Sequence, residues 1–205
     1  MDETTLTDTR RALHAVAERL LAGPQHRADG TIRLHVVPGG FAQVKGPWRV
    51  EGTDLVGKSG RVPLTGTIAD VAAAAGIEAG VPEGLYGDHA DWPDDAPLAL
   101  DTAAADLVAA WFARGDAGLR AFEPGQEPVL WPEHFDLGIG LGEVNYGISP
   151  GDAGHAAPYA YVGPWTPRTG PFWNVSFGAL RAATDLPDAG AVAGFFAAGR
   201  AAAAG

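Results

Sequence analysis

The stretch that most constrains the fold is residues 131–152, where apolar residues alternate with polar residues and glycines. A repeat of two residues is the period of a β-strand that buries one face. If Gly142 and Glu143 form a two-residue type II′ turn, the flanking segments pair as a hairpin. A slip of one residue would turn the apolar set toward solvent, so the register is part of the prediction. Phe135 begins the apolar series, and the predicted pairs are Leu137 with Ile148, Ile139 with Tyr146 and Leu141 with Val144.

The opposite face of the predicted hairpin consists largely of glycines and has few side chains. Glycine leaves no side chain above a sheet, so this face predicts a trough rimmed by polar groups. The trough is interpreted either as the floor of a ligand site or as a place where another part of the chain approaches closely. A plain solvent face is the third interpretation. The face consists of Asp136, Gly138 and Gly140 opposite Ser149, Gly147 and Asn145, with His134 at its end.

Aromatic residues are concentrated beside this hairpin. A further strand over 158–165 places Tyr159, Tyr161 and Trp165 on one side, and Trp173 follows after a loop. Tyrosine and tryptophan combine an apolar ring with a polar tip, which suits a pocket that orients a ligand. Aromatic residues in strands equally form ordinary cores. In the ligand-binding interpretation, the binding residues are Asn145, Ser149, Asp152, Tyr159, Tyr161, Trp165 and Trp173.

His134 and Asp136 are the candidate catalytic pair. At positions i and i+2 of a strand, their side chains point the same way about 7 Å apart. Such a pair serves as a general base and its orienting carboxylate. The same spacing occurs among metal ligands, with His155 or Asp152 as a third ligand. A structural alternative, in which His134 bonds a turn that Asp136 caps, is preferred to the metal site, so no metal is predicted.

Composition excludes several classes of function. The chain has 205 residues with 25 acidic and 14 basic side chains, a net charge of −11, and no cluster of Lys and Arg. Nucleic acids and anionic membranes are therefore not expected as partners. The absence of cysteine removes disulfides, thiolate catalysis and cysteine-bound zinc. No apolar stretch approaches the ~18 residues of a membrane span, and the acidic N-terminus does not resemble a secretory signal, so a cytoplasmic protein is expected.

The rest of the chain alternates between helical and strand patterns. Strands are predicted over 32–36, 41–51 and 54–64. The first helix is predicted over 8–22, with Thr7 or Asp8 as its cap and Gly23-Pro24 as its end. Further helices are predicted after the Thr67–Asp70 capping box, from Asp101 to about Phe122, and after Pro187. These patterns predict an α+β fold with mainly antiparallel sheets flanked by N-terminal, central and C-terminal helices.

A single compact domain over 1–205 is predicted. The one candidate boundary is the loop 78–100, which is rich in Pro, Gly and Asp. It would divide the chain into 1–77 and 101–205.

One motif match is rejected. Residues 52–59 fit the GxxxxGK[ST] phosphate-loop pattern. That mechanism needs a helix after the loop, whereas Gly60 to Pro63 predict a turn and a strand.

Four segments of the chain resemble a family of uncharacterised bacterial proteins from high-GC genomes. The segments are LWPEHFD at 130–136, GISPGD at 147–152, PYAYVGPW at 158–165 and FW at 172–173. In that family, a WPxHFD motif is followed by SPGD, PYxYVxPW and FW. The resemblance covers roughly the C-terminal half of the chain. It implies that residues 129–174 form one unit, and it implies no activity.

The leading hypothesis is a protein that binds a small polar molecule over the hairpin spanning 134–151, and that in one version also transforms it. In this hypothesis, the aromatic residues form the walls of the cleft. The competing hypothesis is a non-catalytic interaction or assembly protein, in which the same aromatics form the core or the seam of a homodimer. The sequence identifies no cofactor.

Overall fold

The computed structural model describes residues 2–58, 60–87 and 89–204. Within these residues, the protein has an α+β fold with antiparallel strand pairs, as the sequence predicts. The chain forms two compact units. The first consists of residues 1–110 and 130–135, and the second of residues 111–129 and 136–205. The chain therefore passes from one unit to the other after residues 110, 129 and 135, and the described residues of loop 78–100 belong to the first unit.

The first unit opens with a long helical stretch in three parts, which follow one another directly. They are α1 (Glu3–Val16), a π-helical segment (Ala17–Ala22) and α2 (Gly23–Asp29). The predicted start is wrong, because Asp2 is the N-cap and accepts a 2.8 Å hydrogen bond from the amide of Thr5. The predicted end at Gly23-Pro24 is also wrong. The stretch ends at Gly30, whose φ of 71° is the left-handed conformation typical of helix ends.

The π-helical segment explains how the helix passes Pro24. Proline has no amide hydrogen, and its ring conflicts with the carbonyl four residues earlier in a regular α-helix. Here the amide of Gly23 donates to the carbonyl of Glu18, a π-type bond between residues five apart. The wider turn lets the chain continue where the sequence pattern predicts a stop.

The sheet of the first unit contains a five-strand meander. β1 (Leu34–Val37), β2 (Gly40–Gln43), β3 (Arg49–Glu51), β4 (Asp54–Gly57) and β5 (Gly60–Pro63) pair in chain order. β6 (Val129–Trp131) lies on the other side of β1, where Leu130 pairs with Leu34. The phosphate-loop match falls on β4 and the turn before β5, so no helix follows it; its last residue, Ser59, lies outside the described residues.

The predicted capping box is confirmed. The Thr67 hydroxyl accepts from the Asp70 amide at 3.1 Å, and the Asp70 carboxylate accepts from the Thr67 amide at 2.9 Å. They open α3 (Ile68–Ala75). The described residues of loop 78–100 form no helix or strand. The loop is held to the π-helical segment, because the amide of Gly80 donates to the carbonyl of Arg19 at 2.9 Å.

The central helix, α4 (Thr102–Phe122), begins after Asp101, as predicted. The Asp101 carboxylate accepts from the amide of Ala104 at 2.9 Å. In the second unit, four strands pair in chain order: β7 (Asp136–Leu141), β8 (Val144–Ser149), β9 (Tyr159–Pro164) and β10 (Ala179–Ala182). A short 3₁₀ turn (Ala183–Asp185) and α5 (Ala189–Ala204) complete the unit. Among the described residues, no helix combines the length and apolar character needed to cross a membrane.

The hairpin of β7 and β8 has the predicted register but a different turn. The structure pairs Leu137 with Ile148, Ile139 with Tyr146 and Leu141 with Val144. Gly142 and Glu143 have φ angles of 59° and 62°. Positive φ at both central residues defines a type I′ turn, so the predicted type II′ turn is wrong. Glu143 adopts a left-handed conformation that non-glycine residues rarely take.

The strand β7 begins at Asp136, two residues after His134, so His134 does not belong to the strand in which it was predicted. His134 and Phe135 lie in a turn, and Phe135 has a φ of 51°. The prediction that His134 and Asp136 share a strand face is therefore wrong. The reason is the burial of the Phe135 ring, which contacts His14 and Phe41 with centroid distances of 5.4 Å.

Candidate functional site

The polar face of β7, β8 and β9 brings together five of the residues predicted for the site. We call this group the tyrosine face: Asp136, Ser149, Asp152, Tyr159 and Tyr161. The rings of Tyr159 and Tyr161 are neighbours, with centroids 6.3 Å apart. Ser149 is buried and pairs with Tyr159 across the strands.

Tyr161 lies over the glycines of the hairpin. A Cβ atom at Gly147 would stand 2.5 Å from the Tyr161 hydroxyl, and one at Gly138 would stand 3.3 Å from it. The hydroxyl donates a hydrogen bond to Oδ2 of Asp136. The predicted trough is thus occupied by a side chain of the neighbouring strand at these two positions, which is the close approach named among its interpretations.

Tyr159 is held by the loop that follows β8. Its hydroxyl donates to Oδ2 of Asp152. Oδ1 of Asp152 accepts from the amides of Gly154 and His155, at 2.6 and 2.8 Å. The ring of His155 meets that of Tyr159 edge-on, 5.2 Å away. Nε2 of His155 is buried and makes no hydrogen bond with any residue that the structure describes.

The two tyrosines are fixed as neutral hydrogen-bond donors. Burial, together with the hydrogen bond to Asp152, raises the pKa of Tyr159 above its ordinary value. Burial and the charge of Asp136 raise the pKa of Tyr161 in the same way. Each hydroxyl donates its hydrogen bond to a carboxylate. The lone pairs of the phenol oxygens therefore remain for accepting hydrogen bonds.

The remaining predicted residues are not part of this group, although Asn145 lies on the same side of β8, two residues from Gly147. Nε1 of Trp165 donates a hydrogen bond to Oδ1 of Asn145 at 3.2 Å. Trp165 is 68% exposed. Trp173 packs edge-on against Phe172, with centroids 5.0 Å apart. His134 belongs to the first unit and Asp136 to the second. The His134 side chain is 68% exposed and lies 3.5 Å from the Glu133 carboxylate.

No metal site joins these residues. In the described part of the chain, no group of three or more His, Cys, Asp and Glu side chains is placed to hold a metal ion.

A second cluster, in the first unit, was missed by sequence reasoning. Glu18 lies in the π-helical segment and its side chain is completely buried. Its Oε1 accepts from Nδ1 of His89 at 2.6 Å, and its Oε2 accepts from the amide of Ala90 at 2.9 Å. We call the pair of Glu18 and His89 the dyad. The ring of Tyr86 lies 5.1 Å from that of His89.

The sequence holds little signal for the dyad. Glu18 resembles one more charge on an amphipathic helix, and His89 lies in an irregular loop 71 residues away. The one local hint is that Glu18 follows His14 by four residues, which places both on the same side of the helix.

No protein-family model, no curated protein and no solved structure matches this chain. The family resemblance of the four C-terminal segments therefore stays a prediction, and the geometry of the two clusters carries the functional argument.

Proposed function

We propose that the protein binds a small polar molecule at the tyrosine face. The observation that carries this proposal is the buried Nε2 atom of His155, which has no partner among the described residues. A buried polar atom without a hydrogen bond costs about 1–3 kcal/mol. A ligand that bonds this nitrogen recovers that free energy on binding.

The chemistry of the face favours a neutral or cationic ligand that offers hydrogen-bond donors. The carboxylates of Asp136 and Asp152 make the face electronegative, which disfavours anions. The oxygens of Tyr159 and Tyr161 accept hydrogen bonds, because both hydroxyl protons are directed at those carboxylates. Hydroxyl and amine groups meet these requirements, so polyols and small amines are the expected class.

The test compares two histidine variants. His155→Phe keeps a ring against Tyr159 and removes Nε2, whereas His134→Phe changes an exposed histidine as a control. Thermal unfolding is measured with a panel of polyols and primary amines. We expect at least one compound to raise the melting temperature of the wild type and of His134→Phe, but not of His155→Phe. The proposal fails if no compound does so, or if His155→Phe responds like the wild type.

A second candidate function is self-assembly through exposed aromatic residues of the second unit. Trp165 and Phe177 are 68% and 49% exposed, and exposed large apolar side chains are frequent at interfaces. Light scattering across a concentration series tests this function. A dimer that Trp165→Ser disrupts would support it, and a wild type that stays monomeric would contradict it.

A further inference from the structure

The Glu18 carboxylate of the dyad is completely buried. The Glu18 side chain has no exposed surface, and each of its oxygens accepts one hydrogen bond. Burying a carboxylate is costly unless it is paired and hydrogen-bonded. The Ala90 amide can only donate, so Oε2 acts as an acceptor.

The Glu18 carboxylate determines which nitrogen of the neutral His89 ring carries the proton. Because Nδ1 of His89 donates to Glu18, the lone pair of the neutral ring lies on Nε2. Nε2 makes no hydrogen bond with a residue in the described ranges, and the His89 side chain is 30% exposed. A small molecule from solvent can therefore reach the basic nitrogen. A buried carboxylate that orients a histidine in this way is the arrangement of a general base with its positioning group.

Tyr86 adds a neutral acid beside this base. Its hydroxyl is buried in the field of the Glu18 carboxylate and has no hydrogen-bond partner of good geometry among the described residues. Burial and the charge of Glu18 raise its pKa, and Glu133 adds to the effect. The phenol consequently keeps its proton and remains a hydrogen-bond donor beside the His89 ring.

We propose that Tyr86, His89 and Glu18 form an acid–base site for small uncharged carbonyl compounds that have an acidic C–H bond. The negative charges of Glu18 and Glu133 disfavour anionic substrates. His89 and Tyr86 are the catalytic residues, and Glu18 is the positioning residue.

The reaction is an enolisation. Nε2 of His89 takes a proton from the carbon next to the carbonyl group, and the C–H electron pair becomes the new C=C bond. The carbonyl π pair moves to oxygen, which accepts the hydrogen bond of Tyr86. The imidazolium then returns its proton to carbon, so the step needs no oxidant or cofactor.

The first experiment measures the reactivity of His89 directly. Diethyl pyrocarbonate acylates neutral imidazole nitrogens, and peptide mass spectrometry reports the rate at each histidine. We expect His89 to react at least as fast as the exposed His134, and about tenfold more slowly in Glu18→Gln. If His89 stays unlabelled while His134 reacts, the dyad is a structural link that holds the loop to the helix.

The second experiment measures catalysis with dihydroxyacetone and butanone as probes. In D₂O, enolisation replaces the hydrogens next to the carbonyl by deuterium, which proton NMR follows. We expect exchange above the buffer rate for the wild type and for His26→Gln, which changes a histidine of α2, the buffer rate for His89→Gln, and a loss of about 10²-fold for Tyr86→Phe. A wild-type rate equal to that of buffer would overturn the proposal.

The role of Glu18 is separated from folding by the pH dependence of the rate. A carboxylate stabilises the imidazolium, so in Glu18→Gln the rise of rate with pH should move to lower pH. Circular dichroism establishes that each variant is folded. A folded Glu18→Gln with an unchanged pH profile would contradict the positioning role.

Discussion

The aromatic ring of Tyr161 on β9 lies directly over the backbone of Gly147 on β8. A Cβ atom at Gly147 would stand 2.5 Å from the Tyr161 hydroxyl and 2.8 Å from the carbonyl oxygen of Leu137. The absence of a side chain at this position is therefore a packing requirement of the tyrosine face.

Gly147→Ala should destabilise the protein by about 2 kcal/mol, because the added methyl group overpacks against both atoms. Gly140→Ala is the matched control on the same face, since its nearest neighbour is Oδ1 of Asn145 at 3.7 Å. Urea unfolding of both variants measures the difference. Equal stability of the two variants would show that Tyr161 moves aside without cost.

The type I′ turn predicts a difference in stability between two further glycine variants. Gly142 has a φ of 59° and open space around it, so Gly142→Ala introduces backbone strain without a clash. We expect a loss of about 1–2 kcal/mol. Gly87 also has open space but no positive φ, so Gly87→Ala should be neutral or slightly stabilising. If Gly142→Ala is as stable as Gly87→Ala, the turn is not type I′.

Two glycines of α5 should respond in opposite directions. Gly194 has no atom within 4 Å of an added Cβ, so Gly194→Ala should stabilise the helix by about 1 kcal/mol. Gly199 packs at 2.7 Å from Val162 and 3.2 Å from Phe172, so Gly199→Ala should destabilise by about 1–2 kcal/mol. Thermal unfolding compares them, and a gain from Gly199→Ala would contradict this packing.

His14 should make stability depend on pH. Burial lowers its pKa, and the hydrogen bond from Nε2 to the Pro132 carbonyl, at 2.7 Å, only partly opposes this. The unfolded chain then takes up a proton at higher pH than the folded chain. Stability is therefore complete above the unfolded pKa of about 6.5 and falls as the pH drops through the folded pKa.

Urea unfolding at pH 7.5 and at lower pH tests this dependence. His14→Phe preserves a ring against Phe135 and should lose this part of the pH dependence. His134→Phe should retain most of it, because burial lowers the pKa of His14 more than the charge of His134 does. An unchanged profile in His14→Phe would assign the dependence to other groups.

Local patterns predicted the elements that depend on near neighbours in the chain. The register of β7 and β8 follows from the alternation around Ile139 and Tyr146, and the start of α3 follows from Thr67 and Asp70. In both cases, the deciding residues are close in sequence, so the physics that selects the structure can be read from the sequence.

Where local rules failed, a tertiary contact outweighed them. Gly23-Pro24 predicts the end of a helix, but an added Cβ at Gly23 would stand 1.7 Å from the carbonyl oxygen of Gly80, so this glycine is required where the loop crosses the continuing helix. Phe135 predicts one more strand residue, but its ring is buried against Phe41.

The sequence by itself determined the α+β class, the hairpin register and the N-caps of α3 and α4, because these depend on periodicity and on hydrogen bonds between near neighbours. Only the tertiary structure decided which polar groups meet. It joined Tyr161 to Asp136 across the strands and buried Glu18 beneath His89. The free energy of such contacts depends on desolvation and on the geometry of distant segments, and neither is encoded in local sequence spacing.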